Sequence, residues 1–178
     1  MKDAISSYSK TVQGFHWLST LLILILLPMG LVMTRIADGA TKTTLYRIHI
    51  VMGLLILVIT VFRVIWRFKD RAPDALAGLS ALHQLGLKAV HLLLYILLFV
   101  LIVSGIGMIA LSGLGWSLAN VTPEAILKDI PPVFTHGITS RLYILLVIIH
   151  LVGVLIYQFK KSNVMARMGV SWFPGKHA

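Results

Sequence analysis

Residues 135–153 read THGITSRLYILLVIIHLVG, an apolar run that carries His136 near its start and His150 near its end. The fourteen-residue step between them is close to four turns of α-helix, so the two imidazoles fall on nearly the same face, ~21 Å apart along the axis. An ionisable side chain inside a membrane-spanning helix is costly, and neutral imidazole is among the commonest metal ligands. Two such residues in register therefore require partners at two depths of a bilayer.

The rest of the composition agrees with a bilayer as the solvent. Of 178 residues, 58% are hydrophobic and 12% charged, which places the chain in the membrane class and, by length, in a single domain spanning 1–178. With no cysteine, disulfides, thiolate-bound zinc, iron–sulfur clusters and thioether-linked haem are all excluded. The net charge of +10 sits at the ends of the apolar runs, where basic residues read topology and anionic headgroups; no nucleic-acid partner is expected. The first apolar run is long enough to span and lacks a small-residue cleavage pattern, so it is expected to be retained.

Four runs reach the ~20 residues that a spanning helix needs, at roughly 11–34, 45–68, 81–111 and 135–159. They predict an all-α integral membrane protein, a bundle of four transmembrane helices with both termini on one side. With the N-terminus inside, that face holds eleven basic residues (Lys2, Lys10, Arg63, Arg67, Lys69, Arg71, Lys88, Lys160, Lys161, Arg167 and Lys176). The opposite face holds five, Arg35, Lys42, Arg47, Lys128 and Arg141. This bias puts both termini in the cytoplasm of a bacterial inner membrane. Residues 35–44 form a short outer link. The inner loop RFKDRAPDALAG is punctuated by Pro73 and Gly78. The longest outer loop, 112–134, carries Trp116, Pro123, Pro131 and Pro132 and reads as a cap at the interface. The tail after Lys161 reads as an interfacial basic segment.

In this topology the histidines sort by depth. His49 and His136 fall at the outer level, His16 and His150 at the inner one, so each pair could clamp a six-coordinate iron porphyrin of the b type. The fourteen-residue step also relates Gly30 to His16 and Arg63 to His49. Gly30, at the outer level, and Gly53, one turn after His49, leave room for a macrocycle, or serve only close helix packing. Arg63, at the inner level, can pair with a propionate or simply mark the membrane boundary. Zinc prefers four ligands with carboxylate or thiolate among them, and none lies at these levels, so a metal transporter without haem has thin support. His91 lies near the inner level, with Tyr95 one turn on. It could replace His16 as a ligand, protonate a bound quinone, or merely pack between helices. His83 and His177 read as solvated.

Several stretches carry a family resemblance: YSKTVQGFHWL at 8–18, YRIHIVMG at 46–53, VFRVIWRFKDRAP at 61–73, HLLLYILLFV at 91–100, and the His136 to His150 pair. Together they run through all four helices, and the chain resembles bacterial cytochrome b561, small four-helix di-haem proteins that react with quinone. The resemblance implies two haem b groups with bis-histidine ligation, His16 and His150 on the inner one and His49 and His136 on the outer one, with His91 at the quinone. The family includes a superoxide oxidase, to which the chain is similar. That similarity implies an enzyme that takes electrons from superoxide at the periplasmic face and reduces ubiquinone, with no obligate protein partner. The chain differs from that member at Tyr157, in place of a histidine, and at Arg141, in place of an amide. Tyr157 is a further candidate at the quinone, and Arg141 adds positive charge near the outer haem. On the outer face, Arg35, Lys42, Arg47, Lys128 and Arg141 against Asp38, Glu124 and Asp129 leave +2 to steer an anion, or serve as ordinary headgroup contacts. Related four-helix cytochromes serve instead as electron-transfer subunits for hydrogenases and formate dehydrogenases, which require a docking partner.

Overall fold

The computed structural model describes residues 7–71, 73, 79–113, 117–127, 129–160 and 163–175. Lys2, Gly78, Trp116, Lys128, Lys161, Lys176 and His177 lie outside the described residues. The helices are α1 (Lys10–Met33), α2 (Ala40–Lys69), α3 (Ala81–Leu111), the single turn α4 (Pro123–Ile126) and α5 (Pro131–Lys160). Short 3-10 turns occupy Leu118–Asn120 and Ala166–Met168, and no strand occurs among the described residues. α1, α2, α3 and α5 are each long and apolar enough to cross a membrane, and the fold is that of a multi-pass membrane protein.

The helix starts follow local chemistry. Ser9 caps α1 by accepting from the Val12 amide at 3.3 Å, and Ser80 caps α3 by accepting from the His83 amide at 3.4 Å. α2 begins five residues earlier than its apolar pattern predicts, because Gly39, at φ 151°, turns the chain directly into the helix. α5 likewise starts at Pro131 rather than near 135. The two prolines that read as loop residues form its first turn, where their missing amide hydrogens cost nothing.

Packing divides the bundle into two antiparallel hairpins. α1 lies chiefly on α2 and α3 chiefly on α5, while α2 meets α3 over few residues. A mid-bundle core that includes Leu22, Ile23, Ile56, Ile59, Leu98, Leu101, Ile102 and Tyr143 joins the hairpins. At the end away from the termini, Val121 and Ile126 are buried against Met33 and Tyr46. The loop expected to lie at the interface thus folds down over the helix ends. Outward faces carry exposed Leu, Ile, Val and Phe along each span, which suits lipid tails and would be a liability in water.

The end that carries the termini is tied by polar contacts. Ser9 Oγ donates to the Asp70 carboxylate, linking the start of α1 to the end of α2. The tail folds back beneath α1: the Tyr8 amide donates to the Arg167 carbonyl at 3.0 Å and Trp17 Nε1 to the Met168 carbonyl at 2.8 Å. Gln158, 0% exposed, organises this turn. Its Nε2 donates to Asn163 Oδ1 at 2.9 Å and to the Pro174 carbonyl at 3.2 Å, and its Oε1 accepts from the Met165 amide at 2.9 Å. Gln158→Ala should release residues 163–175, raising their hydrogen-exchange rates and costing roughly 2–4 kcal/mol of stability from buried hydrogen bonds left unmade; unchanged exchange there would contradict this role.

Candidate functional site

At the end away from the termini, α2 and α5 bring His49 and His136 together with ring centres 6.3 Å apart and planes at 76°. At metal–imidazole bonds of about 2 Å, two rings on opposite sides of one metal have centres roughly 6 Å apart. His136 is held by α3: its Nδ1 lies 3.0 Å from the Leu101 carbonyl and 3.1 Å from Ser104 Oγ. Ser104 Oγ donates to the same Leu101 carbonyl at 3.0 Å. A hydrogen on Nδ1 satisfies that carbonyl and leaves the Nε2 lone pair for a ligand, the arrangement that orients metal-binding histidines. His49 Nδ1 is buried with no hydrogen-bond partner among the described residues.

Glycines flank both rings. A Cβ on Gly30 would meet His49 Cε1 at 3.5 Å, and one on Gly105 would meet His136 Cε1 at 3.5 Å. Gly53 has nothing within 4 Å of a Cβ position. All three line, with both histidines, a cavity of about 280 Å³ between the hairpins, close to the lower bound of about 300 Å³ usual for organic ligands. Paired imidazoles, an anchored Nδ1, an apolar cavity and glycine approaches on two sides fit a porphyrin.

At the end carrying the termini the rings are arranged differently. The ring against His150 is that of His91, with centres 5.1 Å apart and planes at 81°, closer than two trans ligands on one metal. His91 Nδ1 lies 2.7 Å from the Leu87 carbonyl one turn earlier. His16 instead faces Arg63, whose Nη2 is 2.8 Å from His16 Nδ1 and whose Nη1 donates to Ser19 Oγ at 2.7 Å. Because guanidinium only donates, His16 Nδ1 accepts, and its other ring nitrogen carries the hydrogen. The same guanidinium stands 5.3 Å from the Tyr95 ring centre, a cation–π contact that holds it above α3. Among the described residues, no three His, Asp or Glu gather as a metal cage, so this chain offers imidazole in twos.

The remaining candidates are more peripheral. Arg141 is exposed, donating from Nη1 to its own-helix carbonyl at Gly137 at 2.9 Å, and it lines the cavity rim. Arg35 is bonded to the Leu31 carbonyl at 2.8 Å, Lys42 to Asp38 at 2.7 Å, and Arg47 to the Ala119 carbonyl at 2.8 Å. Tyr157 is half-buried seven residues beyond His150 on α5. The sequence reading missed Ser104, Gly105 and Tyr46. Gly105 had a signal, since it stands fourteen residues after His91, the same step that singled out Gly30. Ser104 had none, because its contact with His136 depends on how α3 lies against α5.

Gly105 can be probed by size. A Cβ at 3.5 Å is an ordinary contact, so Gly105→Ala should leave ligand binding in the cavity intact. Gly105→Leu should push the His136 ring aside and lower the amount of haem bound, read by pyridine haemochrome. Equal haem content in both variants would show that this approach does not matter.

Comparison with known proteins comes to the same place. The family described as Prokaryotic cytochrome b561 matches residues 7–170. Cytochrome b561 homolog 2 of Escherichia coli (strain K12) is 33% identical over 100 residues, 55% of this chain and 53% of that protein. The aligned part thus spans about half the length of that relative. No solved structure matches. With four membrane-spanning helices and a family match over nearly its whole length, this chain belongs to the prokaryotic cytochrome b561 family, haem b-binding membrane proteins of electron transfer.

Proposed function

We propose that this chain is a superoxide:ubiquinone oxidoreductase of the bacterial inner membrane, one domain over 1–178 with both termini in the cytoplasm, holding two haem b groups. The observation that carries the di-haem reading is the His49 and His136 pair, 6.3 Å between ring centres beside a cavity approached by two glycines. His49 and His136 would hold the outer haem. His150 and His16 would hold the inner haem, with Arg63 exchanging His16 Nδ1 for a propionate carboxylate, which would be the stronger acceptor. The 5.1 Å spacing of His91 to His150 favours His91 as a neighbour of the inner site rather than as a residue that would hold the haem.

When bound, haem b supplies a one-electron iron couple at each level. The balance is two superoxide anions giving two dioxygen molecules, with two electrons and two cytoplasmic protons converting ubiquinone to ubiquinol. His91 takes up a cytoplasmic proton on its free nitrogen and passes it to a quinone oxygen, Tyr157 contacts the quinone ring's other oxygen, and Arg141 on the cavity rim draws the anion inward. The apolar cavity walls keep water from the electron path. No protein partner is required.

The test is an ultraviolet–visible spectrum with haem quantitation on the purified chain, followed by superoxide in the presence of ubiquinone. Two haems that reduce with superoxide and reoxidise with quinone support the oxidase. Two haems indifferent to superoxide would make the chain an electron-transfer subunit for a periplasmic dehydrogenase or hydrogenase. A colourless protein, made with ample haem, would overturn both and leave the transporter. His16→Ala should cost one haem, while His91→Gln should keep both and slow quinone reduction by roughly 10²-fold. The reverse pattern would make His91 the ligand.

A further inference from the structure

Tyr46 is 2% exposed, and its hydroxyl has no hydrogen-bond partner among the described residues. A buried phenol left unmade costs about 1–3 kcal/mol, and the position demands only an apolar ring: its neighbours are Met33, Val121 and Ile126, with Leu45, Ile50 and Met108 around them. Phenylalanine would fill the same space without the penalty. A hydroxyl there, unbonded among the described residues, can donate to an acceptor brought into the cavity.

The position says which acceptor. Tyr46 lies three residues before His49 on α2, so the two share a face, with Tyr46 about 4.5 Å nearer the start of the helix. It lines the same cavity as His49 and His136. Of the nearby cations, Lys42 is engaged with Asp38 at 2.7 Å, and Arg47 bonds the Ala119 carbonyl at 2.8 Å through Nη2 while its Nε is buried without a partner among the described residues. On a porphyrin of the b type the strong acceptors at the rim are the two propionate carboxylates.

We propose that Tyr46 is a positioning residue for the outer haem, its phenol donating a hydrogen bond to a propionate carboxylate. This rests on the di-haem reading above. A phenol on the carboxylate offsets part of its negative charge, and that charge otherwise favours the ferric over the ferrous state. Without the phenol, the haem becomes harder to reduce.

The test is Tyr46→Phe in the full-length, haem-loaded chain, with both midpoint potentials measured and the outer centre identified as the one that His49→Ala removes. The expected result is two haems bound, an outer haem whose reduction equilibrium shifts at least threefold toward ferric, and an inner haem unmoved. Selective loss of the outer haem would support the same contact. Unchanged potentials at both centres, or equal loss of both haems, would overturn it, the first meaning that the phenol does not bond the propionate and the second a general loss of packing. If the wild-type chain itself fails to bind two haems, the di-haem reading fails instead, and the result is distinguishable from failure at Tyr46.

Discussion

An imidazole inside an apolar bundle must be given something to bond, because hydrocarbon offers neither donor nor acceptor. Most of the polar geometry within this chain's spans answers that demand. His136 is fixed by the Leu101 carbonyl and Ser104, His91 by the Leu87 carbonyl, and His16 by Arg63. Each bond commits one ring nitrogen and thereby decides what the other can do. At His136 and His91 the committed nitrogen faces a carbonyl, which leaves a lone pair on the far side of the ring. At His16 it faces a cation, which does the reverse.

That constraint shapes the packing as well. A four-helix bundle closed evenly all round would have no room between its halves. Here α1 pairs with α2 and α3 with α5, and the hairpins meet mainly through the apolar cluster at mid-depth. The space left beyond that cluster is the cavity beside His49 and His136. Gly30 on α1 and Gly105 on α3 let the other helix of each hairpin come within contact distance of the His49 and His136 rings without filling the space beside them. The loop over the top, through Val121 and Ile126, closes the apolar surround while Tyr46 brings one hydroxyl into it.

The end carrying the termini is built on a different principle. There the chain spends polar side chains on itself: Gln158 ties the tail into a turn, and Ser9, Gln13 and Trp17 fasten α1 to α2, to its own leader and to the tail. Arg63, reaching His16, Ser19 and the Tyr95 ring at once, is the link between that framework and the buried histidines. A guanidinium so placed is a ready partner for any carboxylate brought to the same level.

The sequence by itself determined the four spans and the depth of each histidine, since both follow from helical rise and the length of apolar runs, which are local quantities. It also determined the family, through motifs spread over all four helices. It placed the starts of α2 and α5 a few residues late, because Gly39 and Pro131 act on the backbone and leave no mark in hydrophobic periodicity. Tertiary structure alone decided which rings meet. His91 rather than His16 lies against His150 because α3 packs on α5 whereas His16 on α1 is drawn to Arg63 on α2. Spacing along one helix fixes height and face, but the rotation of a helix against its neighbour is set by side-chain packing across the interface, and that information belongs to pairs of segments rather than to either one.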